Sequence, residues 1–244
     1  MKDYKIEIYK KYLRNREINK VPQHINSFNS RKPFYLNLIK CHFPKDRQIS
    51  ILDLGCGSGG FLYFMNKMGY KNTLGVDLSD DSVTAAKELG IDNILEEDIF
   101  DFLESQPKQS FDIITAIDLI EHLPKEYVLK FAKLTQKCLK PAGKLILHQP
   151  NGEGVFVGGV LFGDFTHETA FTRKSINQIF KTTGFTSVTC FEDKPLCYNL
   201  KSVVRRALWI FVVRPIYALF LAVETGGFDK KTIFTQNFIA VVNK

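Results

Sequence analysis

The sequence predicts an α/β fold: an open, seven-stranded, mostly parallel sheet with helices on both faces, an N-terminal helical extension and a helical insertion before the last strand. Three observations lead there. From residue 49 onward, short apolar runs alternate with segments of helical character, the pattern of strands joined by crossover helices. The first run, 49–54, ends in a cluster of glycines, as a buried parallel strand does when it turns sharply into a helix. The 244 residues, 45% hydrophobic and 24% charged, suit a globular α/β domain with a sizeable core.

The elements follow in order. Residues 1–48 are polar, basic and aromatic and form the extension, with a helix expected over 32–42 and a break at Phe43-Pro44-Lys45-Asp46. Strand 49–54 is followed by a helix over 61–68. A second strand at 73–76 leads to a helix at 82–89, for which Ser79 or Asp80 is the N-cap, since a short polar side chain there accepts from an otherwise unpaired N–H. A short third strand is expected at 93–96 and a strong fourth at 111–117. An amphipathic helix over 125–139, a turn at Pro141-Ala142-Gly143 and a fifth strand at 144–148 come next. A helix over 173–183, closed by Gly184, precedes a sixth strand at 187–191, and a seventh lies at 237–242. The core is thus read as 49–194, the insertion as 195–230 and the final strand as 231–244.

The formal charge is +7. An anionic substrate, a nucleic acid or a membrane surface would suit it. The lysines are scattered over solvated helix faces, and no basic run is interleaved with aromatics, so no nucleic-acid partner is expected. Cys41, Cys56, Cys138, Cys190 and Cys197 are odd in number and irregularly spaced. That argues against a disulfide framework or a zinc site and for a reducing cytoplasm. Residues 1–12 are charged and lack the apolar stretch of a signal peptide.

The chemistry centres on Ile51-Leu-Asp-Leu-Gly-Cys-Gly-Ser-Gly-Gly60. Gly55, Gly57 and Gly59 give G-x-G-x-G, while Gly55, Gly57 and Gly60 equally give the dinucleotide pattern G-x-G-x-x-G. The acids around them discriminate. Asp53, just before the first glycine, would repel a pyrophosphate and attract a ligand ammonium. Asp77, ending the second strand, can accept from both hydroxyls of a ribose. Asp98, after the third strand, can accept from an adenine amino group. Together they suit a nucleoside with a cationic amino-acid tail, and S-adenosylmethionine is such a ligand.

Leu52-Asp-Leu-Gly-Cys-Gly-Ser-Gly59, Gly75-Val-Asp-Leu78, Glu97-Asp-Ile99, the run from Phe111 to Pro124 containing Glu121-His122, and Leu139-Lys-Pro-Ala-Gly-Lys-Leu-Ile-Leu147 stand in the order and spacing of a known family. Over roughly residues 49–150 the chain resembles the class I S-adenosylmethionine-dependent methyltransferases. The resemblance implies a Rossmann-like fold and S-adenosylmethionine as cofactor. It implies that Asp53 and the backbone of Gly55, Cys56, Gly57 and Gly59 hold the methionine part. Asp77 would hold the ribose with Leu78 beside the adenine, and Asp98 and Ile99 would bracket the adenine. Asp118 would sit near the sulfonium and the acceptor. Arg31 is a candidate for the methionine carboxylate, or an ordinary surface arginine.

A hydroxyl or amine acceptor must lose its proton, which calls for a base. His167, in Asp164-Phe-Thr-His-Glu, ranks first. His148, at the end of the fifth strand, ranks second, because ligands bind outside the carboxyl ends of such strands. His122 is so usual in the family that a structural or cofactor-orienting role is expected for it. No metal-ligand cluster is evident. The glycine-rich stretch 151–163 reads as an apolar lid or as a loop covering the sheet end.

The segment 203–223 is long and apolar, but Arg205, Arg206 and Arg214 interrupt it and Pro215 would kink it, so it is not read as a transmembrane span. Two readings stand. It forms a pair of helices on a membrane surface, or it packs on the domain, closing the acceptor pocket or making a homodimer contact. The full layout resembles bacterial O-methyltransferases of surface-polysaccharide or quinone biosynthesis. The implied activity is O-methylation of a small-molecule, phosphorylated or glycan acceptor by a cytoplasmic protein, peripheral at the inner membrane face where the insertion docks. N-methylation and a non-catalytic binding scaffold are the alternatives.

Overall fold

A computed structural model describes residues 22–227 and 229–244. The expectation about a signal peptide and the first 21 residues of the N-terminal extension lie outside the described residues. A 3₁₀ turn at Ile25–Ser30 leads into α1 (Lys32–His42), which has Pro33 in its first turn, where a missing N–H costs nothing. The core then runs β1 (Ile51–Leu54), α2 (Gly60–Lys67), β2 (Thr73–Asp77), α3 (Asp80–Glu88), β3 (Ile94–Glu96), α4 (Ile99–Ser105), β4 (Phe111–Ile117), α5 (Lys125–Cys138) and β5 (Leu139–Pro150). After it come α6 (Val157–Leu161), α7 (Arg173–Thr182), β6 (Ser187–Glu192), α8 (Leu200–Leu208), α9 (Arg214–Thr225) and β7 (Asn237–Asn243).

The sheet order is β3-β2-β1-β4-β5-β7-β6. Pairing is parallel from β3 to β5, while β7 runs antiparallel between β5 and β6. Apolar residues fill both faces. Leu52, Leu54, Ile114 and Leu147 pack with α4, α5 and α7, and Ile51, Ile113, Ile146 and Val241 pack with α1 and α2. This is the seven-stranded, mostly parallel α/β architecture the sequence predicts. The strand order reverses between β1 and β4, which opens a crevice at the carboxyl ends of those two strands.

Local chemistry sets the element ends. Ser79 rather than Asp80 caps α3, its Oγ accepting from Ser82 N–H at 3.3 Å. Thr172 and Ser175 form a reciprocal capping box on α7. The expected turn at 141–143 lies inside β5, as a bulge that shifts register between Phe111–Leu139 and Ile113–Lys144 and puts Ala142 at φ +61°.

Two expectations need correction. Helix α4 was not anticipated, because its seven residues carry too short an apolar pattern to separate from a loop. Its signal is Asp98, which caps it by accepting from Phe100 N–H at 2.8 Å. The insertion is one helix, not a kinked pair. A π turn over Trp209–Val213 joins α8 to α9 and widens the helix just before Pro215, which sits in the first turn of α9. The segment touches the domain through Tyr217 beside Phe156 and Arg214 beside Glu192 and Phe234, while most of its surface is exposed. Ser202 is the buried residue of the described helix, while Phe211, Leu219, Phe220 and Val223 are each more than 60% exposed.

Candidate functional site

Two adjoining cavities open in the β1/β4 crevice. One, of about 430 Å³, lies over the ends of β1 and β2 and is lined by Asp77, Leu78, Asp98 and Ile99. The other, of about 610 Å³, reaches under α1 and α6 and is lined by Arg31, Asp53, Glu121 and His167. Gly55, Gly57, Asp118 and His122 border both, so they form one trough.

The glycine loop shapes its floor. Gly55, Gly57 and Gly59 have φ of +66°, +54° and +78°, a region that L side chains avoid. A Cβ on Gly55 would stand 2.8 Å from Leu119 Cδ1, and one on Gly59 would stand 2.8 Å from Ile94 Cδ1. On Gly57 it would meet no protein atom within 4 Å, because that position faces the trough.

Asp53 is buried and accepts from Thr115 Oγ at 2.6 Å. Burial pushes its carboxyl up to about 7, with the nearby Asp77 charge adding to the rise and the Thr115 hydrogen bond opposing it. Asp77 accepts from Gly57 N–H at 2.7 Å and Ser79 N–H at 2.9 Å, which pins the glycine loop to the end of β2. Each of its oxygens keeps a second lone pair for a ligand hydroxyl. Burial raises this carboxyl too, against those two hydrogen bonds.

At the far wall, Asp118 sits at φ +54°, a strained position just past β4, with its N–H donating to His148 O at 2.9 Å. Its carboxylate bridges His148 Nδ1 and Arg31 Nη2, the latter at 2.8 Å. Burial would raise this carboxyl, but the His148 and Arg31 charges outweigh it and hold it well below the usual range. The other nitrogen of His148, Nε2, lies 3.3 Å from Asp193 Oδ2. Burial disfavours a charged imidazole, yet Asp118 and Asp193 win and push His148 up to about 10. The expectation of His148 as a base therefore needs correction. It is a clamped cation with both nitrogens engaged. Arg31 enters the trough as expected, but in an ion pair with Asp118.

The remaining histidines meet at a third corner. The backbone carbonyl of Glu121 accepts from Glu168 N–H at 2.7 Å and Thr169 N–H at 3.2 Å, which ties the 163–170 loop to the turn after β4. His122 and His167 then face each other, ring centroids 4.6 Å apart. Glu121 is buried beside them, and Glu121 Oε2 has no hydrogen-bond partner among the described residues. Burial, then the Asp118 charge, drives its carboxyl well above the usual range. The sequence reading named these three residues without grouping them. It passed over Tyr35, which lines the larger cavity one helical turn after Arg31, with the guanidinium 5.3 Å from its ring centroid. An aromatic four residues after a functional arginine was the available signal.

The stretch 151–163 contains α6, whose Gly159 and Val160 wall the larger cavity. Asn151 anchors its base by donating to the carbonyls of Ile233 and Thr235 at 2.8 and 2.9 Å. Phe156 reaches Tyr217 of α9 across 6.3 Å, so the wall of the cavity and the exposed apolar helix touch.

A family model described as a methyltransferase domain matches residues 26–190. A protein of Idiomarina loihiensis named ubiquinone biosynthesis O-methyltransferase is 30% identical over 123 residues, 49% of this chain and 49% of its own. Phosphoethanolamine N-methyltransferase 1 of Arabidopsis thaliana is 27% identical over 157 residues, 59% of this chain and 30% of its own. The chain thus spans about half or less of the length of these curated relatives. Among solved structures, a SAM-dependent methyltransferase from Archaeoglobus fulgidus shares the fold, with a TM-score of 0.67 at 20% identity over 90% of this chain and 97% of that one.

Proposed function

The chain belongs to the methyltransferase domain family, and from that premise we propose that it binds S-adenosylmethionine in the trough and methylates an oxygen of a small amphiphilic acceptor. The observation that carries this reading is Asp53, a buried carboxylate raised to about 7 at the edge of a cavity. A buried acid of this kind is stabilised as the anion when a ligand brings an ammonium group, and it is unsuited to a pyrophosphate. The open side of Gly57 lets a ligand approach the backbone. Asp77 takes the ribose hydroxyls, Leu78 and Ile99 flank the adenine with Asp98 beside it, and Arg31 offers its remaining N–H groups to the methionine carboxylate.

Once bound, S-adenosylmethionine supplies a methyl group activated by the sulfonium. The chain's own part is alignment and proton removal. Asp118, fixed by His148 and Arg31, holds the centre of the trough in shape. The Glu121, His122 and His167 corner faces the acceptor and assists the loss of its proton.

The acceptor enters beneath α6, next to the exposed helix. The quinone O-methylation and phosphoethanolamine N-methylation in the relatives' names, and the surface glycan suggested by the sequence, share a polar head that a basic protein can gather. An apolar helix beside the entrance favours a lipid-linked head. In this reading α8 and α9 lie in the surface of an anionic bilayer, with Lys201, Arg205 and Arg206 toward the headgroups. The protein then works at the inner membrane face.

Calorimetry with S-adenosylmethionine, S-adenosylhomocysteine and NAD tests the core of the proposal. Micromolar affinity for the first two, none for NAD, and loss on Asp53→Ala are expected. No affinity for either adenosyl ligand would end it. Release of S-adenosylhomocysteine with catechols, phosphoethanolamine and polyprenyl-linked sugars as acceptors sorts the acceptor class.

A further inference from the structure

We infer that Glu121, His122 and His167 form a binding site for one divalent first-row transition metal ion at the acceptor end of the trough. Each residue offers one ligand atom, and the three atoms lie within 4.8 Å of one another. Ligands at about 2.0–2.2 Å from one ion stand about 3.5 Å apart, so side-chain shifts of about an ångström would close all three onto it.

The surrounding hydrogen bonds set the imidazoles for this task. Thr166 Oγ donates its single proton to Asp164 Oδ1 at 2.6 Å. At His122 Nδ1, 2.8 Å away, the same oxygen must therefore accept, which fixes the Nδ1–H tautomer. His167 Nδ1 faces the Val160 carbonyl at 3.1 Å, and a carbonyl only accepts, so this imidazole too carries its proton on Nδ1. Both rings are thereby held with Nε2 as the ligand nitrogen. The Val160 carbonyl behind His167 is the usual support of a metal-binding histidine, and behind His122 the Thr166 hydroxyl, itself held by the Asp164 carboxylate, plays the same part. The third ligand is the buried Glu121, whose Oε2 has no hydrogen-bond partner among the described residues. A buried carboxylate oxygen of that kind needs either a proton or a cation, and two imidazoles beside it favour the cation. Two nitrogens and one oxygen on one side of an ion suit Zn²⁺, Fe²⁺ or Mn²⁺ better than Mg²⁺, which prefers oxygen ligands and water.

The three ligands leave coordination positions open toward the cavity, as a site that engages substrate does. The inference rests on the methyltransferase reading only for its consequence. An acceptor hydroxyl bound there is acidified and gives its proton to water. Its oxygen forms the new O–CH₃ bond as the S–CH₃ bond breaks, and the sulfonium leaves as a neutral thioether. The acceptor chemistry this selects is a hydroxyl with a neighbouring oxygen that can share the ion.

The test uses the whole purified chain, stripped with chelator and titrated with Co²⁺, Zn²⁺ or Mg²⁺ alone, with binding read by calorimetry and by visible Co²⁺ absorption. One equivalent of Co²⁺ or Zn²⁺ is expected, bound more tightly than Mg²⁺. Glu121→Gln and His167→Ala should abolish it, and Thr166→Val should weaken it about 10- to 100-fold by freeing the His122 ring. Melting curves on the same samples show that each variant folds. No Co²⁺ binding by the wild type, unchanged binding in the folded ligand variants, or a preference for Mg²⁺ would overturn the assignment. Because no methyl donor is present, a chain that binds Co²⁺ but not S-adenosylmethionine would sink the proposed function and leave the metal site standing.

Discussion

With its carboxyl raised to about 7, Asp53 holds a proton in the folded chain that it releases in the unfolded chain above about 3.8. Its contribution to stability is therefore present below about 3.8 and is lost as pH rises through about 7. Ligand binding runs the other way, because an ammonium needs the ionised form. Affinity for S-adenosylhomocysteine should rise by up to about tenfold per pH unit below neutrality and then level off. Calorimetry across pH reads this, and Asp53→Asn should flatten the profile. Gly57 and Gly59 offer a paired comparison. Both alanine variants carry the strain of a positive φ, about 1 kcal/mol or more. Gly59→Ala also collides with Ile94 and should melt earlier still, whereas Gly57→Ala should mainly lose adenosyl-ligand affinity, since its methyl group projects into the trough. At this scale the sequence was informative about the acids and glycines, because one strand-turn-helix unit carries them. It could not join His167 to Glu121 and His122, because that contact depends on two backbone hydrogen bonds across the fold. Nor could it show that His148 is a cation, since Asp118 and Asp193 come from other elements.

The capped core helices were legible because their apolar residues recur at helical spacing and polar caps mark their ends. Helix α4 was not, since two turns give that pattern too little length. The insertion was legible as an apolar run, but its form was not: Pro215 reads as a break in sequence, whereas the preceding π turn absorbs the clash. Among the described residues it is the one helix long and apolar enough to cross a membrane by length and composition. Its exposure yields a direct prediction. Leu219→Glu with Phe220→Glu should abolish co-sedimentation with anionic vesicles and leave folding stability within about 0.5 kcal/mol, because both side chains are over 60% exposed. Unchanged vesicle binding would remove the membrane reading. Thr172→Ala, which takes away one half of the α7 capping box, should cost about 1 kcal/mol in urea melts.

Across the whole molecule, alternation of strand and helix was enough to anticipate a parallel sheet, but not the seat of its last strand. Spatial order depends on pairing between distant segments, and β7 lies between β5 and β6 although β6 precedes it in sequence. A chain stopped at residue 236 would leave β5 with an open edge and β6 with no partner, so it should be recovered insoluble, as sedimentation of the expressed fragment would reveal. The same geometry tethers the insertion. The greasy helix is strung in sequence between β6 and β7, two antiparallel neighbours at one rim of the sheet, so a lipid surface that grips it is moored to that rim at both ends of the insertion.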